Sequence, residues 1–270
     1  MERIDGDQAQ DPARHEARRL LNVYRRRLHS NLTHDLRPLV GSRAGEVAER
    51  IAGKDIIFCN KNVLNADLLG DNGSVRFIGL TATGTDNVDL DFARASGIAV
   101  ANIRAYCTQS VTEHVFGALL MLTHNLRKYS AALQRGAWQR ASDFYMLDFP
   151  VRELSRMTMG IVGLGDLGNS VARTARHFGM DVVVSARPGE DTVPDGRVAF
   201  DELLERADVI SLHCPLVDAT RGLFGAAEFR RMKSSAILIN TARGALVDTR
   251  ALADALRGVV SQRLLPRASG

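Results

Sequence analysis

From about residue 44 onward, short apolar runs alternate with segments whose apolar positions recur every three or four residues. Strands alternating with helices produce this pattern, and it points to an α/β protein with parallel sheets. GEVAERIAG predicts a helix, and DIIFC (55–59) a short buried strand. VRFIGL (75–80) predicts a second strand, VDLDFARASG a helix, and IAVAN (98–102) a third strand. Residues 1–43 offer no strand of their own, so this small sheet is expected to be incomplete. Ser110 and Glu113 match a capping box, and the helix after it, Val111–Arg127, is apolar on more than one face. Such a helix is buried between domains or against a second subunit. TMGIVG, DVVVSA (181–186), DVISLHC (208–214) and AILINTA (236–242) then alternate with helical segments. Four strands in that rhythm predict a doubly wound parallel sheet.

Composition narrows the picture modestly. The chain has 270 residues, 45% hydrophobic and 24% charged, enough for two domains of a soluble globular protein. No apolar run is long enough for a membrane span, and the N-terminus carries no apolar signal core. Cys59, Cys107 and Cys214 are far apart, with neither zinc spacing nor a disulfide framework. No metal is therefore expected, and a reducing cytoplasm is the simplest compartment. Net charge is +4, too mild to imply nucleic acid, although residues 1–43 hold nine arginines and no lysine. That basic segment is read first as a solvated leader and second as a phosphate-contacting arm.

The strongest chemical signal is Gly163-Leu164-Gly165-Asp166-Leu167-Gly168, a G-x-G-x-x-G between an apolar strand and a helix. The first glycine allows the tight turn, the second lets backbone approach a pyrophosphate, and the third lets helix and strand pack closely. A dinucleotide site of this kind normally places a carboxylate at the end of the next strand, on the ribose hydroxyls. Here that position holds Ser185, Ala186 and Arg187. No carboxylate would repel a 2′-phosphate and Arg187 could pair with one, so NADP is favoured over NAD. His213, Cys214 and Pro215 end the third strand of this unit, at the edge that faces a cofactor; they are read as wall residues, with no chemistry assigned to the histidine.

Three segments resemble the D-isomer-specific 2-hydroxyacid dehydrogenases, particularly their glycerate dehydrogenase or hydroxypyruvate reductase branch. These are TATGTDNVD (81–89), the GLGDLG turn, and LHCPLVDATRGLF through INTARGALVD (212–248). The likeness covers roughly residues 44–257, with the motifs in family order. It implies a flavodoxin-like substrate domain (44–102), smaller and incomplete, joined to a Rossmann NAD(P)-binding domain (103–270) after an atypical segment (1–43). It also implies that backbone amides near Ala82, Thr83 and Gly84 hold a substrate carboxylate. Arg243, in Thr241-Ala242-Arg243, would bridge that carboxylate and the carbonyl oxygen being reduced, where a guanidinium fork fits well. Asn60-Lys61 and Leu147–Pro150 resemble stretches of enzymes that reduce hydroxypyruvate or glyoxylate. The family habit and the apolar helix together imply a homodimer.

The family's proton-transferring histidine and its orienting glutamate both lie after the arginine. Beyond Ala251–Arg257 the sequence runs GVVSQRLLPRASG, and neither occurs. The expectation is therefore a chain that departed from a longer ancestor by truncation or frameshift, lacking the last Rossmann strands and impaired in catalysis. The alternative reading is a non-catalytic NAD(P)-binding remnant or regulatory protein, and a basic-armed nucleic-acid binder ranks below both.

Overall fold

The computed structural model of the protein describes residues 44–190 and 192–255. The expectations placed on residues 1–43 and on the tail beyond Ala255 lie outside the described residues. The chain divides into two compact units between Ile103 and Arg104.

The first unit alternates α1 (Val47–Ile51), β1 (Ile56–Cys59), α2 (Ala66–Gly70), β2 (Phe77–Leu80), α3 (Leu90–Ala95) and β3 (Ala99–Ala101). Its strands form a parallel sheet in the order β1-β2-β3. Ile57, Ile78 and Leu80 bury into a core shared with Ile51, Leu64, Leu69 and Val88. Two helices begin where a side chain satisfies a free backbone donor. Asn65 accepts from Leu68 N at 3.1 Å and Asp89 from Phe92 N at 2.9 Å. The strands are one or two residues shorter than the apolar runs that predict them.

The second unit opens with α4 (Thr108–Thr123), α5 (Leu126–Gln134) and α6 (Ala137–Arg140). It continues with β4 (Thr158–Val162), α7 (Asp166–His177), β5 (Asp181–Val184), α8 (Phe200–Arg206), β6 (Val209–Leu212), α9 (Ala226–Arg231), β7 (Ile237–Asn240) and α10 (Thr249–Ala255). All pairings are parallel, in the order β5-β4-β6-β7. The chain thus steps outward from β4 to β5, then returns to add β6 on the opposite side. Between those steps it touches the outer edge of β5 through a lone parallel bridge from Val198 to Ser185. β6 is buried along its whole length, as a central parallel strand covered on both faces must be. Gly160 in β4 lets α8 lie close, since a Cβ there would sit 2.9 Å from Leu203.

One predicted device is absent. The long helix starts at Thr108, so Ser110 and Glu113 lie inside it rather than at its cap. Ser110 instead donates to Cys107 O at 3.1 Å, and Glu113 accepts from Gln109 at 3.1 Å. The helix buries Val115, Phe116 and Leu119 in the core that also holds Val171, Ala172 and Ala175 of α7. A hydrogen bond of 3.0 Å between Thr112 Oγ1 and Ser170 Oγ, both buried, joins the two helices. The apolar face is therefore satisfied within the unit.

Candidate functional site

The turn from β4 into α7 is shaped by its own glycines. Gly163 has φ +95°, and a Cβ there would lie 2.5 Å from the Cys214 backbone nitrogen. A Cβ on Gly168 would strike the Gly163 carbonyl oxygen. These two positions need glycine for internal packing alone. Gly165 differs: among the described residues nothing comes within 4 Å of where its Cβ would be, and the residue is exposed. This leaves its backbone open to approach from outside, the arrangement that the second glycine of a phosphate-binding turn requires. Asn169 locks the turn by donating to Leu164 O and Gly165 O, each at 3.0 Å. Leu164 and Leu167 are half-buried, and Asp166 begins the 12-residue helix whose first amides point at the turn.

The other sequence-predicted residues of this unit gather at the same, carboxyl edge of the sheet. Ala186 and Arg187 follow β5; Ala186 is buried and Arg187 exposed. His213, Cys214 and Pro215 follow β6, and Thr241, Ala242 and Arg243 follow β7. β4 and β6 are neighbours although the chain places β5 between them, so the glycine turn and His213 flank the switch point of the sheet. Parallel α/β sheets bind ligands at that place.

His213 is half-buried, with Nε2 2.9 Å from Ser211 Oγ. Burial pulls its pKa down to about 4, so the ring is neutral near pH 7. Nδ1 is buried with no hydrogen-bond partner among the described residues, and so is Thr241 Oγ1. The β6–β7 register ends by pairing Leu212 with Asn240, so His213 and Thr241 are each the first residue to follow their strand at the carboxyl edge of the sheet. Buried polar atoms are ordinarily hydrogen-bonded, so two such orphans at a switch point suit the polar edges of a bound dinucleotide. Cys214 has its thiol pushed up by burial, away from nucleophilic use.

Arg243 is half-buried, and its Nη1 donates to Ala242 O at 3.2 Å. Asn240 organises the turn that carries it, donating to Arg243 O at 2.7 Å and accepting from Ala242 N at 3.0 Å. Ser211 and Asn240 were missed by sequence reasoning, although Asn240 opens the very NTARG stretch that marks Arg243. In the first unit, Ala82, Thr83 and Gly84 form the loop after β2. Asn102 holds this loop by donating to Thr83 O at 2.7 Å, and Ala82 O accepts from Ile103 N at 3.1 Å. Among the described residues, no helix is long and apolar enough to cross a membrane, and no group of three His, Cys, Asp or Glu could hold a metal ion.

Residues 116–262 match the D-isomer specific 2-hydroxyacid dehydrogenase NAD binding domain. The chain is 41% identical to the glycerate dehydrogenase of Methylorubrum extorquens over 213 residues, 78% of this chain and 66% of that protein. It is 35% identical to the hydroxypyruvate reductase of Blautia hydrogenotrophica, again over 78% of this chain and 66% of that one. Among solved structures it resembles an Aquifex aeolicus D-lactate dehydrogenase complexed with NAD and lactic acid, with TM-score 0.66 and 32% identity. That match covers 77% of this chain and 62% of the other. It also resembles an acyclic imino acid reductase in complex with NADPH and D-Arg, with TM-score 0.71 and 27% identity, covering 80% and 69%. The chain thus spans just under two thirds of the length of the first relatives in both comparisons.

Proposed function

The chain belongs to the D-isomer-specific 2-hydroxyacid dehydrogenases, and on that premise we propose that residues 103–270 bind a nicotinamide dinucleotide, NADP in preference to NAD, while residues 44–102 contribute the substrate side. The observation that carries this reading is the convergence at one sheet edge of the bare Gly165 with the partnerless His213 Nδ1 and Thr241 Oγ1. When bound, the nicotinamide supplies or accepts the hydride. The glycine turn and the first turn of α7 would hold the pyrophosphate, with Ala186 and Arg187 at the adenosine end. His213, Cys214, Pro215, Thr241 and Ala242 would line the rest.

The proposed substrate is a small 2-keto or D-2-hydroxy acid of the hydroxypyruvate or glyoxylate type. The names of the relatives and the stretches at Asn60-Lys61 and Leu147–Pro150 support it. Arg243 would clamp its carboxylate and polarise its carbonyl, and amides of the 82–84 loop would hold the carboxylate from the substrate side. All seven histidines of the sequence precede Arg243, and none of them is assigned the proton transfer here.

The chain is further proposed to act as a homodimer in a reducing, cytoplasmic compartment. Its three cysteines are free, and large apolar side chains from Leu126 to Val151 lie exposed. Titration of purified protein with NADPH and NADH, followed by hydroxypyruvate or glyoxylate turnover, tests the function. Saturable binding with slow, carboxylate-dependent oxidation supports it, and absence of binding by a folded chain overturns it. Binding without any turnover favours the alternative, a non-catalytic dinucleotide-binding protein.

A further inference from the structure

The adenosine end of the site carries a second guanidinium. The chain leaves β5, makes a turn at Pro194–Arg197 closed by Arg197 N donating to Pro194 O at 3.1 Å, and returns beside the strand it left. Gly196 takes φ +75° in that turn, a left-handed conformation suited to glycine. The return is pinned by Ala186 N to Val198 O at 2.7 Å and by Val198 N to Val184 O at 2.9 Å. This places Arg197 against the end of β5, where its Nη1 donates to Ser185 O at 3.1 Å. Arg197 is half-buried, and no carboxylate pairs with it among the described residues. Arg187, by contrast, is 84% exposed and shares its charge with Glu190 at 3.7 Å. The residues between strand and arginine, Ser185 and Ala186, are buried and uncharged.

We propose that Arg197 is a specificity-determining residue that, with Arg187, clamps the 2′-phosphate of the adenosine ribose. The inference rests on the dinucleotide reading of the glycine turn and deepens it. The end of β5 is where the ribose hydroxyls fall in such a sheet. A phosphate dianion has acceptor oxygens for two guanidinium forks, and a fork anchored on one side keeps its other N–H groups directed. Arg187 alone would have to leave Glu190 to reach the phosphate. Among the described residues Arg197 has no such competitor, and it is already fixed by the Ser185 carbonyl.

The test compares dissociation constants of wild type, R197M, R197K and R187M for NADPH and NADH, with 2′,5′-ADP and ADP as probes lacking the nicotinamide. Wild type is expected to favour NADPH and 2′,5′-ADP. R197M is expected to weaken both by about tenfold or more, as loss of one charge-assisted contact implies, while NADH and ADP change little. R197K, which keeps the charge without the fork, should fall between wild type and R197M, and it serves if R197M does not fold. Equal weakening of NADPH and NADH would assign Arg197 a structural role and overturn the proposal. So would an unchanged NADPH-to-NADH ratio, or a wild type that prefers NADH. A folded wild type that binds none of the four would instead overturn the dinucleotide reading itself, and the inference with it.

Discussion

At the scale of single residues, the three glycines of the turn perform different jobs, and substitution separates them. Gly165→Val introduces bulk where no atom of the described residues lies within 4 Å, so the fold should persist while cofactor affinity is lost. Thermal unfolding beside NADPH titration checks this. Gly168→Ala presses a methyl on the Gly163 carbonyl and should lower stability by about 1–3 kcal/mol, the usual cost of overpacking. Arg243→Lys keeps the charge but loses the fork, and should raise the dissociation constant of a carboxylate probe such as oxamate about tenfold at saturating cofactor. His213 gives a pH signature. Its folded pKa lies at about 4, below the ordinary 6.5, so between those values the unfolded chain binds more protons. The stabilising contribution is present above pH 6.5 and is lost as pH falls through 4, by at most about 3 kcal/mol. His213→Gln should flatten this part of the stability curve in urea melts, and an unchanged slope would show that another group titrates. The glycine spacing and Arg243 were legible as letters. The partnerless Nδ1 was not, because it is defined by what lies across β6 and β7 rather than by its neighbours in sequence.

At the scale of elements, apolar runs located each strand but exceeded it by one or two residues at the ends. Parallel strands are buried on both faces, so their composition does not change where the ladder stops. DVVVSA shows this: the paired register with β4 ends at Val184, and Ser185 adds one backbone bond to Ile161 and a bridge to Val198. The capping box at Ser110 failed for a related reason. The signal is local, yet this helix extends back to Thr108. The α4–α7 contact also carries a prediction. Thr112→Val removes the partner of buried Ser170, and should cost about 1–3 kcal/mol as an unsatisfied hydroxyl. Ser170→Ala in the same background should recover part of that loss in denaturant melts.

At the scale of the whole molecule, a length of 270 residues, α/β alternation and the glycine turn were enough to indicate two parallel-sheet units and a dinucleotide site in the second. The segment after α6 leaves Phe144 88% and Leu147 78% exposed, with the Tyr145 ring edge-on to Phe144. Apolar surface this concentrated marks an interaction site, and a second copy is the proposed occupant. Phe144→Ser with Leu147→Ser should therefore shift the sedimentation profile toward monomer without changing the circular dichroism of the chain; a wild type that is already monomeric would remove the dimer. The letters alone were enough for the element order, the glycine turn and the family, because these depend on local patterning and on residue types that tolerate few substitutes. It took the folded chain to show that β6 returns to the side of β4, and that His213 and Thr241, each just past its strand, carry buried atoms with no partner among the described residues. The fold alone set Arg197 against the end of β5. Strand order and the company of a side chain depend on contacts between distant parts of the chain, which no local pattern encodes.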